Sequence, residues 1–220
     1  LDSGDLAYLS KKARVMLDNA GYKDAKICAS SDLDENLIAS LKIQGAKIDT
    51  WGVGTRLITS HDCPSFGGVY KLSAETDENG EFVPKIKLSN NPSKITNPGV
   101  KKTIRIYDKE TGKIKADLIA LEDESFDTNE PLTVCDHYAP WKSMTLKPGT
   151  YTLRELLVPI FIDGNCVYES PSTMEIQAIA KKELDTLWEE HRRLENPHIV
   201  PVDLSDKLYL LREQLIRDLG

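Results

Sequence analysis

Helical and extended hydrophobic patterns alternate through the start of the chain, and this alternation constrains the fold more than any other feature. Apolar residues recur at helical spacing over 6–20 and again over 33–41, and a glycine follows each stretch. Each helical stretch is followed by a short apolar run, at 25–29 and at 48–51, of the kind that forms a strand covered on both faces. The alternation predicts an α/β fold with parallel strands and crossover helices.

A polar or glycine-rich turn accompanies each predicted strand end. The turns are Asp2–Asp5, Ser30–Asp32 and Gly52–Thr55. Ligands bind at the carboxyl ends of the strands in α/β barrels and open sheets, so these turns predict a ligand site. A dense polar turn normally follows a strand, and none precedes Asp2–Asp5. We therefore expect a chain that has been cut inside a domain.

The first two turns carry carboxylates that suit a ribose. Asp2 and Asp32 can each accept hydrogen bonds from sugar hydroxyls, and the glycine of the first turn lets backbone approach a ligand closely. Helix capping is the alternative at both turns. Ser3 or Asp5 could cap the first helix, and Asp32 with Glu35 fits a capping box.

The third turn suits a phosphate. Gly52 and Gly54 allow successive N–H groups to converge on an anion, and Thr55 can add a hydroxyl. The turn lacks the spacing of a dinucleotide fingerprint, and the sequence contains no P-loop pattern. Three polar strand ends follow one another, about one βα unit apart. Together they indicate a sugar-phosphate site more specifically than any one of the motifs does alone.

The rest of the chain has a different pattern. From about 67 onwards, short predicted strands such as 69–72, 103–107 and 114–121 alternate with turn clusters, which is typical of antiparallel β structure. The tail reads as helical. Ser172 can cap a helix with a buried apolar face that ends at Asn196-Pro197, and Ser205 can cap a last helix.

Charge and cysteine usage limit the class of partner. The net charge of −7 argues against a nucleic-acid or anionic-membrane surface, because either requires a clustered positive field. A single phosphate remains compatible, since a few backbone N–H groups can hold it. The four cysteines are far apart and form no C-x-x-C pair, which favours a reducing cytoplasm. Cys135-Asp136-His137 lacks a partner cluster, so no metal site is predicted.

The turns belong to a series of motifs that resembles the nicotinate phosphoribosyltransferase family. Leu1–Leu6 is similar to the family motif R-L-D-S-G-D-L. The matching blocks keep their order over nearly the whole chain. They continue through 29–35, 45–49, 52–55, 69–72, 94 with 96, 98–101, 153–156, 158–161, 163–164, 196–198 and 201–205.

The resemblance implies a type II phosphoribosyltransferase, an irregular α/β barrel with a smaller domain. Residues 1–66 would form the C-terminal part of the barrel with the ribose-phosphate site, 67–170 a β-rich segment completing the smaller domain, and 171–220 the C-terminal helices. The implied reaction joins nicotinate to phosphoribosyl pyrophosphate, giving nicotinate mononucleotide and pyrophosphate. It is coupled to ATP hydrolysis, commonly uses magnesium, and serves NAD salvage in a cytoplasmic homodimer.

The resemblance also implies roles for single residues. Asp2 and Asp32 would contact ribose hydroxyls, whereas Ser31 would hold the 5′-phosphate, although asparagine or glycine is common at its position. The full set of implied substrate-binding residues is Asp2, Ser3, Ser31, Asp32, Gly52, Gly54 and Thr55. The family's phosphorylated histidine and its nicotinate-contacting residues lie upstream of the first motif. We therefore expect this chain to be the C-terminal half of the enzyme, without a catalytic residue of its own and inactive alone.

Other functions remain open from the sequence. Nicotinamide and quinolinate phosphoribosyltransferases share the fold, and the base-contacting residues that would discriminate them are absent here. A non-catalytic nucleotide-binding or assembly module is the alternative from another class.

Overall fold

The computed structural model describes residues 1–65, 67–91 and 94–219. Phe66, Pro92, Ser93 and Gly220, which fall within the predicted segments, lie outside the described residues. The chain divides into two compact units, unit 1 over Leu1–Val69 and unit 2 over Tyr70–Gly220.

Unit 1 alternates helices and strands. Its elements are α1 (Leu6–Asn19), β1 (Cys28–Ala29), α2 (Glu35–Ile43), β2 (Thr50–Trp51) and α3 (Thr55–Ile58). The two strands pair in parallel, with Cys28 opposite Thr50 and Ala29 opposite Trp51. The predicted parallel pairing with crossover helices is thus confirmed, although both strands are shorter than the apolar runs that predicted them.

The core of unit 1 lies between the two longer helices and the strands. It contains the buried residues Leu6, Ala7, Ala29, Leu33 and Leu41. Ser10, fully buried on α1, accepts a 3.0 Å hydrogen bond from the N–H of Lys47 and thereby ties α1 to the segment before β2. The apolar face predicted for α1 is buried mainly at its first turn, and Met16 is exposed.

Unit 2 is built around a four-stranded sheet. Its elements are β3 (Ala74–Thr76), β4 (Phe82–Pro84), β5 (Lys101–Asp108), β6 (Ile114–Leu121), β7 (Leu132–Cys135), β8 (Ser143–Leu146), β9 (Tyr151–Glu155), β10 (Phe161–Ile162), β11 (Asn165–Cys166), α4 (Thr173–Asp185), β12 (Val202–Leu204) and α5 (Asp206–Leu219). The strand order of this sheet is β12-β6-β5-β9, and β12 joins β6 in parallel whereas the other pairs are antiparallel. The antiparallel character predicted for this region is confirmed. The strand predicted over 69–72 is wrong, because pairing begins at Ala74.

Alternating side chains of the sheet form the core of unit 2. Ile106, Leu118 and Tyr151 are almost fully buried, and Val134 and Leu146 of the β7–β8 hairpin pack against them. The Tyr151 hydroxyl donates to the carbonyls of Asp127 and Glu130, at 3.0 and 2.9 Å, so its polar end is satisfied inside the core.

The two C-terminal helices begin where the sequence predicts. Ser172 caps α4 in a capping box with Glu175, and the Ser205 hydroxyl accepts a hydrogen bond of 3.2 Å from the N–H of Leu208 in α5. Two expectations for α4 are wrong. The helix ends at Asp185, well before Asn196-Pro197, and none of its residues is buried. Polar links fix it instead, since both carboxylate oxygens of Glu183 accept from Arg154 at 2.7 Å.

Candidate functional site

Three chain segments of unit 1 lie side by side with their carboxyl ends at one edge. Leu1 extends the β1–β2 pair, because its amino group donates to the Cys28 carbonyl at 2.7 Å and its carbonyl accepts from the N–H of Ser30 at 2.8 Å. On the other side, the N–H of Gly52 donates to the carbonyl of Ala29 at 2.8 Å. This pattern of slanted bonds is that of parallel strands. The three predicted turns therefore follow neighbouring strand ends.

The first and second turns touch directly. The Ser30 hydroxyl donates a 2.5 Å hydrogen bond to Oδ1 of Asp2, which leaves Oδ2 without a partner among the described residues. A Cβ on Gly52 would lie 3.4 Å from the Cβ of Ser30, so the third turn approaches the same place. The residues predicted to bind substrate are all exposed at this edge. We call them the strand-end site: Asp2, Ser3, Ser31, Asp32, Gly52, Gly54 and Thr55.

The second turn has an unusual backbone. Ser31 and Asp32 have φ angles of 94° and 44°, in the left-handed region that residues other than glycine rarely adopt. Such a conformation costs about 1–3 kcal/mol per residue and persists where the surrounding structure imposes it, often at functional sites. It turns the chain sharply between the end of β1 and the start of α2.

The cap of α2 decides between the two interpretations of Asp32, as a helix cap or as a ligand-binding carboxylate. The capping box predicted for Asp32 and Glu35 is wrong, because Asp34 caps α2 and its Oδ1 accepts from the N–H of Leu37 at 2.7 Å. The exposed carboxylate of Asp32 makes no hydrogen bond or ion pair with the described residues. In the first turn, Asp5 rather than Ser3 caps α1, by accepting from the N–H of Tyr8 at 2.9 Å. Capping thus leaves Asp32 and Ser3 available.

The third turn presents backbone N–H groups to open space. Gly54 precedes α3 with no side-chain cap, and a Cβ on it would meet nothing within 4 Å. The carbonyl of Gly54 accepts from Leu57 and Ile58, whereas the N–H groups of Thr55 and Arg56 donate to no carbonyl of the described residues. Free N–H groups next to a glycine with room above it are the arrangement that anions require.

An ion pair that the sequence analysis did not single out joins the second and third turns. Arg56 donates from Nη1 to Oδ2 of Asp34, whose side chain is 15% exposed. The N–H of Leu37, followed by Arg56, lowers the pKa of Asp34 from its ordinary value of 3.8, so this carboxylate stays charged. The presence of Asp34 two residues after Asp32 was the sequence signal that could have identified the α2 cap. Nothing in the pattern predicted its pairing with Arg56.

The site suits a metal ion only if the substrate supplies most of the ligands. The described residues contain no group of three or more His, Cys, Asp or Glu side chains able to hold a metal ion. Magnesium is commonly bound through one or two carboxylates together with substrate phosphates. The exposed carboxylates of Asp2 and Asp32 fit that second arrangement.

A family comparison identifies the larger part of unit 2. The model described as nicotinate phosphoribosyltransferase C-terminal domain matches residues 100–212, just over half of the 220 residues. The chain belongs to the nicotinate phosphoribosyltransferase family. The resemblance seen in the sequence motifs is therefore confirmed.

Relatives in this family match the chain over nearly its whole length. The chain is similar to proteins named nicotinate phosphoribosyltransferase from Bacillus subtilis (46% identical, covering 99% of this chain and 44% of the relative), Caenorhabditis elegans (35%, covering 95% and 38%) and Homo sapiens (31%, covering 98% and 40%). The chain thus spans less than half the length of each. The crystal structure of human nicotinic acid phosphoribosyltransferase shares its fold, with 25% identity and a TM-score of 0.68 over 98% of this chain and 39% of that one.

The family model, which matches residues 100–212, does not reach the strand-end site, whereas the matches to the relatives cover 95–99% of the chain. The mixed α/β architecture is shared with the human protein across both units. Within the described part of the chain, no helix combines the length and the apolar character needed to cross a membrane. All four cysteines are free.

Proposed function

We propose that the strand-end site holds the phosphoribosyl group during transfer from phosphoribosyl pyrophosphate to nicotinate, a reaction that yields nicotinate mononucleotide and pyrophosphate. The contact between Ser30 and Asp2 carries this proposal, because it sets the carboxylate of Asp2 beside the glycine turn at neighbouring strand ends. The choice of nicotinate as the pyridine base rests on the names of the relatives. The reaction would serve NAD salvage.

The carboxylates of the site are assigned to the ribose. Oδ2 of Asp2 and the carboxylate of Asp32 have no partner among the described residues, so both can accept hydrogen bonds from ribose hydroxyls. Hydrogen bonds to a charged acceptor contribute about 1.5–3 kcal/mol each. The hydroxyl of Ser3, exposed beside Asp2, is the additional polar group on this side.

The third turn is assigned to the 5′-phosphate. The N–H groups of Thr55 and Arg56 donate to no carbonyl of the described residues, and a Cβ on Gly54 would meet nothing within 4 Å, which leaves room for an anion to approach. The hydroxyls of Thr55 and Ser31 would add donors, and Gly52 would allow close approach. Backbone amides can bind a phosphate without a net positive charge on the protein, so the chain's net charge of −7 is compatible with this assignment.

Positioning dominates the chemistry that this arrangement supports. Transfer breaks the bond between the ribose anomeric carbon and pyrophosphate and forms a bond to the pyridine nitrogen, through a loose, oxocarbenium-like transition state. Held at both its hydroxyls and its phosphate, the ribose presents its anomeric carbon in one orientation. Carboxylates beside the ring also favour the positive charge that develops on it. Magnesium, when bound with the substrate, would neutralise charge on the leaving pyrophosphate.

We assign neither the ATP-dependent step nor the contacts to the pyridine base to residues of this chain. The 220 residues are accordingly proposed to be inactive alone and to supply the ribose-phosphate side of the site. The complete enzyme is proposed to be a cytoplasmic homodimer, and the four free cysteines support a reducing compartment.

Two alternatives follow from the same geometry. A site of this kind would serve nicotinamide or quinolinate equally, because the ribose and its phosphate are common to all three products. A module that binds the nucleotide without catalysis would need the same strand ends. The relatives are named nicotinate phosphoribosyltransferase, which favours nicotinate over the other two bases and catalysis over binding alone.

Calorimetry tests the ribose assignment. The 220-residue chain is titrated with nicotinate mononucleotide, and Asp2→Ala and Asp32→Ala are each expected to weaken binding by about tenfold or more, because each removes a charged hydrogen-bond acceptor. Asp24→Ala, which removes an exposed carboxylate of unit 1 that makes no hydrogen bond or ion pair with the described residues, is the control. Unchanged affinity in both site variants would refute the assignment.

A chimera tests the reaction. The part of the Bacillus subtilis relative that this chain does not match is fused to the chain, and product is measured with nicotinate, nicotinamide and quinolinate. We expect turnover with nicotinate that requires ATP for full rate, none from the chain alone, and a dimer in sedimentation. Preference for another base would select the first alternative, and binding without turnover the second.

A further inference from the structure

An open pocket of about 660 Å³ lies in unit 2, between the β7–β8 hairpin and the segment 199–203. Its size falls within the roughly 300–1,000 Å³ of small-molecule sites. The buried Val134, the partly buried Met144 and the exposed Ile199 supply apolar walls. The pocket therefore has the volume and much of the lining of a ligand site.

One buried carboxylate of this pocket lacks a partner. Asp203, on the edge strand β12, is only 9% exposed, yet its carboxylate forms no hydrogen bond or ion pair with the described residues. Burial, followed by the negative charge of Asp136, raises its pKa, whereas His137 lowers it. His137 itself is engaged elsewhere, with Nε2 at 3.1 Å from the Leu204 carbonyl and its ring stacked on Tyr209. A largely buried carboxylate without a partner gains from a new counter-ion.

A second carboxylate lines the same pocket. Oδ1 of Asp136 accepts from the N–H groups of Tyr138 and Ala139, at 3.0 and 3.2 Å. These bonds fix the carboxylate and leave Oδ2 without a partner in the described structure. Asp136 and Asp203 can therefore act on one bound group.

The lysines of the pocket do not fill this role. Lys115 pairs with Asp108 at 3.0 Å. Lys142 is exposed at the pocket, where water solvates its ammonium, and it forms no ion pair with the described residues. Lys142 is exposed and stays hydrated, whereas Asp203 is largely buried without a partner, so a cation at Asp203 is favoured over an anion at Lys142.

An aromatic side chain lies at the same pocket. The ring of Trp141, in the connection between β7 and β8, is 80% exposed. Indole is the best of the side-chain rings for binding a cation over its face, and it also stacks on flat rings. An exposed indole beside two carboxylates is the combination that recognises aromatic or alkyl ammonium groups.

We propose that this pocket binds a small organic cation with a flat aromatic body, with its ammonium group against Asp203 and Asp136 and its ring between Trp141 and the apolar wall of Val134 and Met144. The proposal concerns unit 2 alone and does not rest on the proposed transferase function.

A series of three probes with one ring tests the charge requirement. Benzylammonium, benzyl alcohol and benzoate are titrated into the 220-residue chain, and amide shifts of 134–144 and 199–203 are followed by NMR. Benzylammonium is expected to saturate these shifts with an affinity at least about tenfold above that of benzyl alcohol, because its ammonium makes charge-assisted hydrogen bonds. Benzoate is expected not to bind.

Matched variants assign the binding to named side chains. Asp203→Asn keeps the shape of the residue and is expected to weaken the binding of benzylammonium by about tenfold. Asp163→Asn, an exposed carboxylate at the β10–β11 turn, is expected to have no effect. Trp141→Ala alters an exposed ring and so leaves folding intact. It removes the stacking partner of the ligand's ring, so it is expected to weaken the binding of benzylammonium about threefold and to leave that of methylammonium, which has no ring, unchanged.

Several results would overturn the proposal. They are absence of binding by benzylammonium, equal binding of benzyl alcohol, stronger binding of benzoate, and shifts outside the pocket only. Wild-type affinity in both Asp203→Asn and Trp141→Ala would do the same.

Discussion

The hydroxyl of Ser30 donates a 2.5 Å hydrogen bond to Oδ1 of Asp2 and so joins two strand ends that are 28 residues apart in the sequence. The bond fixes the carboxylate that we assign to the ribose. Ser30→Ala is therefore expected to weaken the binding of nicotinate mononucleotide by about threefold to tenfold, which is the effect of one lost hydrogen bond. Calorimetry on the 220-residue chain measures it. Ser65→Ala removes a hydroxyl of unit 1 that makes no hydrogen bond with the described residues, and its affinity should match that of the wild type. An equal effect of both changes would contradict the positioning role.

The capping carboxylate of Asp34 gives unit 1 a defined pH dependence. Its pKa is lowered in the folded chain by the N–H of Leu37 and by Arg56. Because the folded pKa lies below the ordinary value of 3.8, its stabilising effect is complete above that value and is lost as the pH falls through the folded pKa. Asp34→Asn keeps an N-cap acceptor but loses the charge, so its thermal midpoint should fall at pH 7 and approach that of the wild type in acid.

A second change at this position separates the cap from the ion pair. Asp34→Ala removes both, and Arg56→Ala removes the pair alone. We expect the thermal midpoint to fall more for Asp34→Ala than for either Arg56→Ala or Asp34→Asn. Equal midpoints for Asp34→Ala and Asp34→Asn would show that the cap contributes nothing.

Gly99 occupies a position in unit 2 where any side chain would be strained. Its φ is +81°, and a Cβ would lie 2.8 Å from Cδ2 of Leu121. Gly99→Ala should cost about 2 kcal/mol in unfolding free energy, from backbone strain together with overpacking. Gly112, at φ +67° with nothing within 4 Å, isolates the backbone contribution, and Gly112→Ala should cost about 1 kcal/mol. Urea unfolding measures both, and equal losses would exclude the contact with Leu121.

The hydroxyl of Tyr151 lies within hydrogen-bond distance of two backbone carbonyls of unit 2, to which its one proton can donate. Tyr151→Phe leaves the carbonyls of Asp127 and Glu130 without this donor, at a cost of about 1–3 kcal/mol. Tyr151→Ala adds a cavity where a side chain was 1% exposed, and should cost about 3–5 kcal/mol. Urea unfolding followed by tryptophan fluorescence compares the two, and a Phe variant as stable as the wild type would mean that water replaces the hydroxyl.

Local patterns in the sequence predicted local structure well. Helical spacing located α1 and α2, and Ser172 and Ser205 were placed correctly as caps because capping depends on residues within one turn. The sequence offered Asp32 as the α2 cap, whereas Asp34 occupies that position in the structure. That choice depends on the left-handed backbone at Ser31 and Asp32, which hydrophobic spacing does not encode.

Long-range contacts account for the remaining differences. The amphipathic pattern of α4 shows which face is apolar but not whether another element covers it, and in this chain Ile176 and Ile179 are exposed. The pairing of Ser30 with Asp2 and of Arg56 with Asp34 likewise depends on which strand ends become neighbours. For the strand-end site, the sequence predicted the turns, and the structure added the side chains that join them.

The parallel pairing of β12 with β6 joins the most distant parts of the sequence within the four-stranded sheet. Val202 aligns with Asp117, so a long stretch of chain must be ordered before this three-residue strand gains its hydrogen bonds. The fully buried Leu208 of α5 follows directly and fastens the strand from one side. Opening of β12 would release α5 with it, and a ligand at Asp203 would hold both closed, since anything that binds the docked form alone shifts the equilibrium towards it.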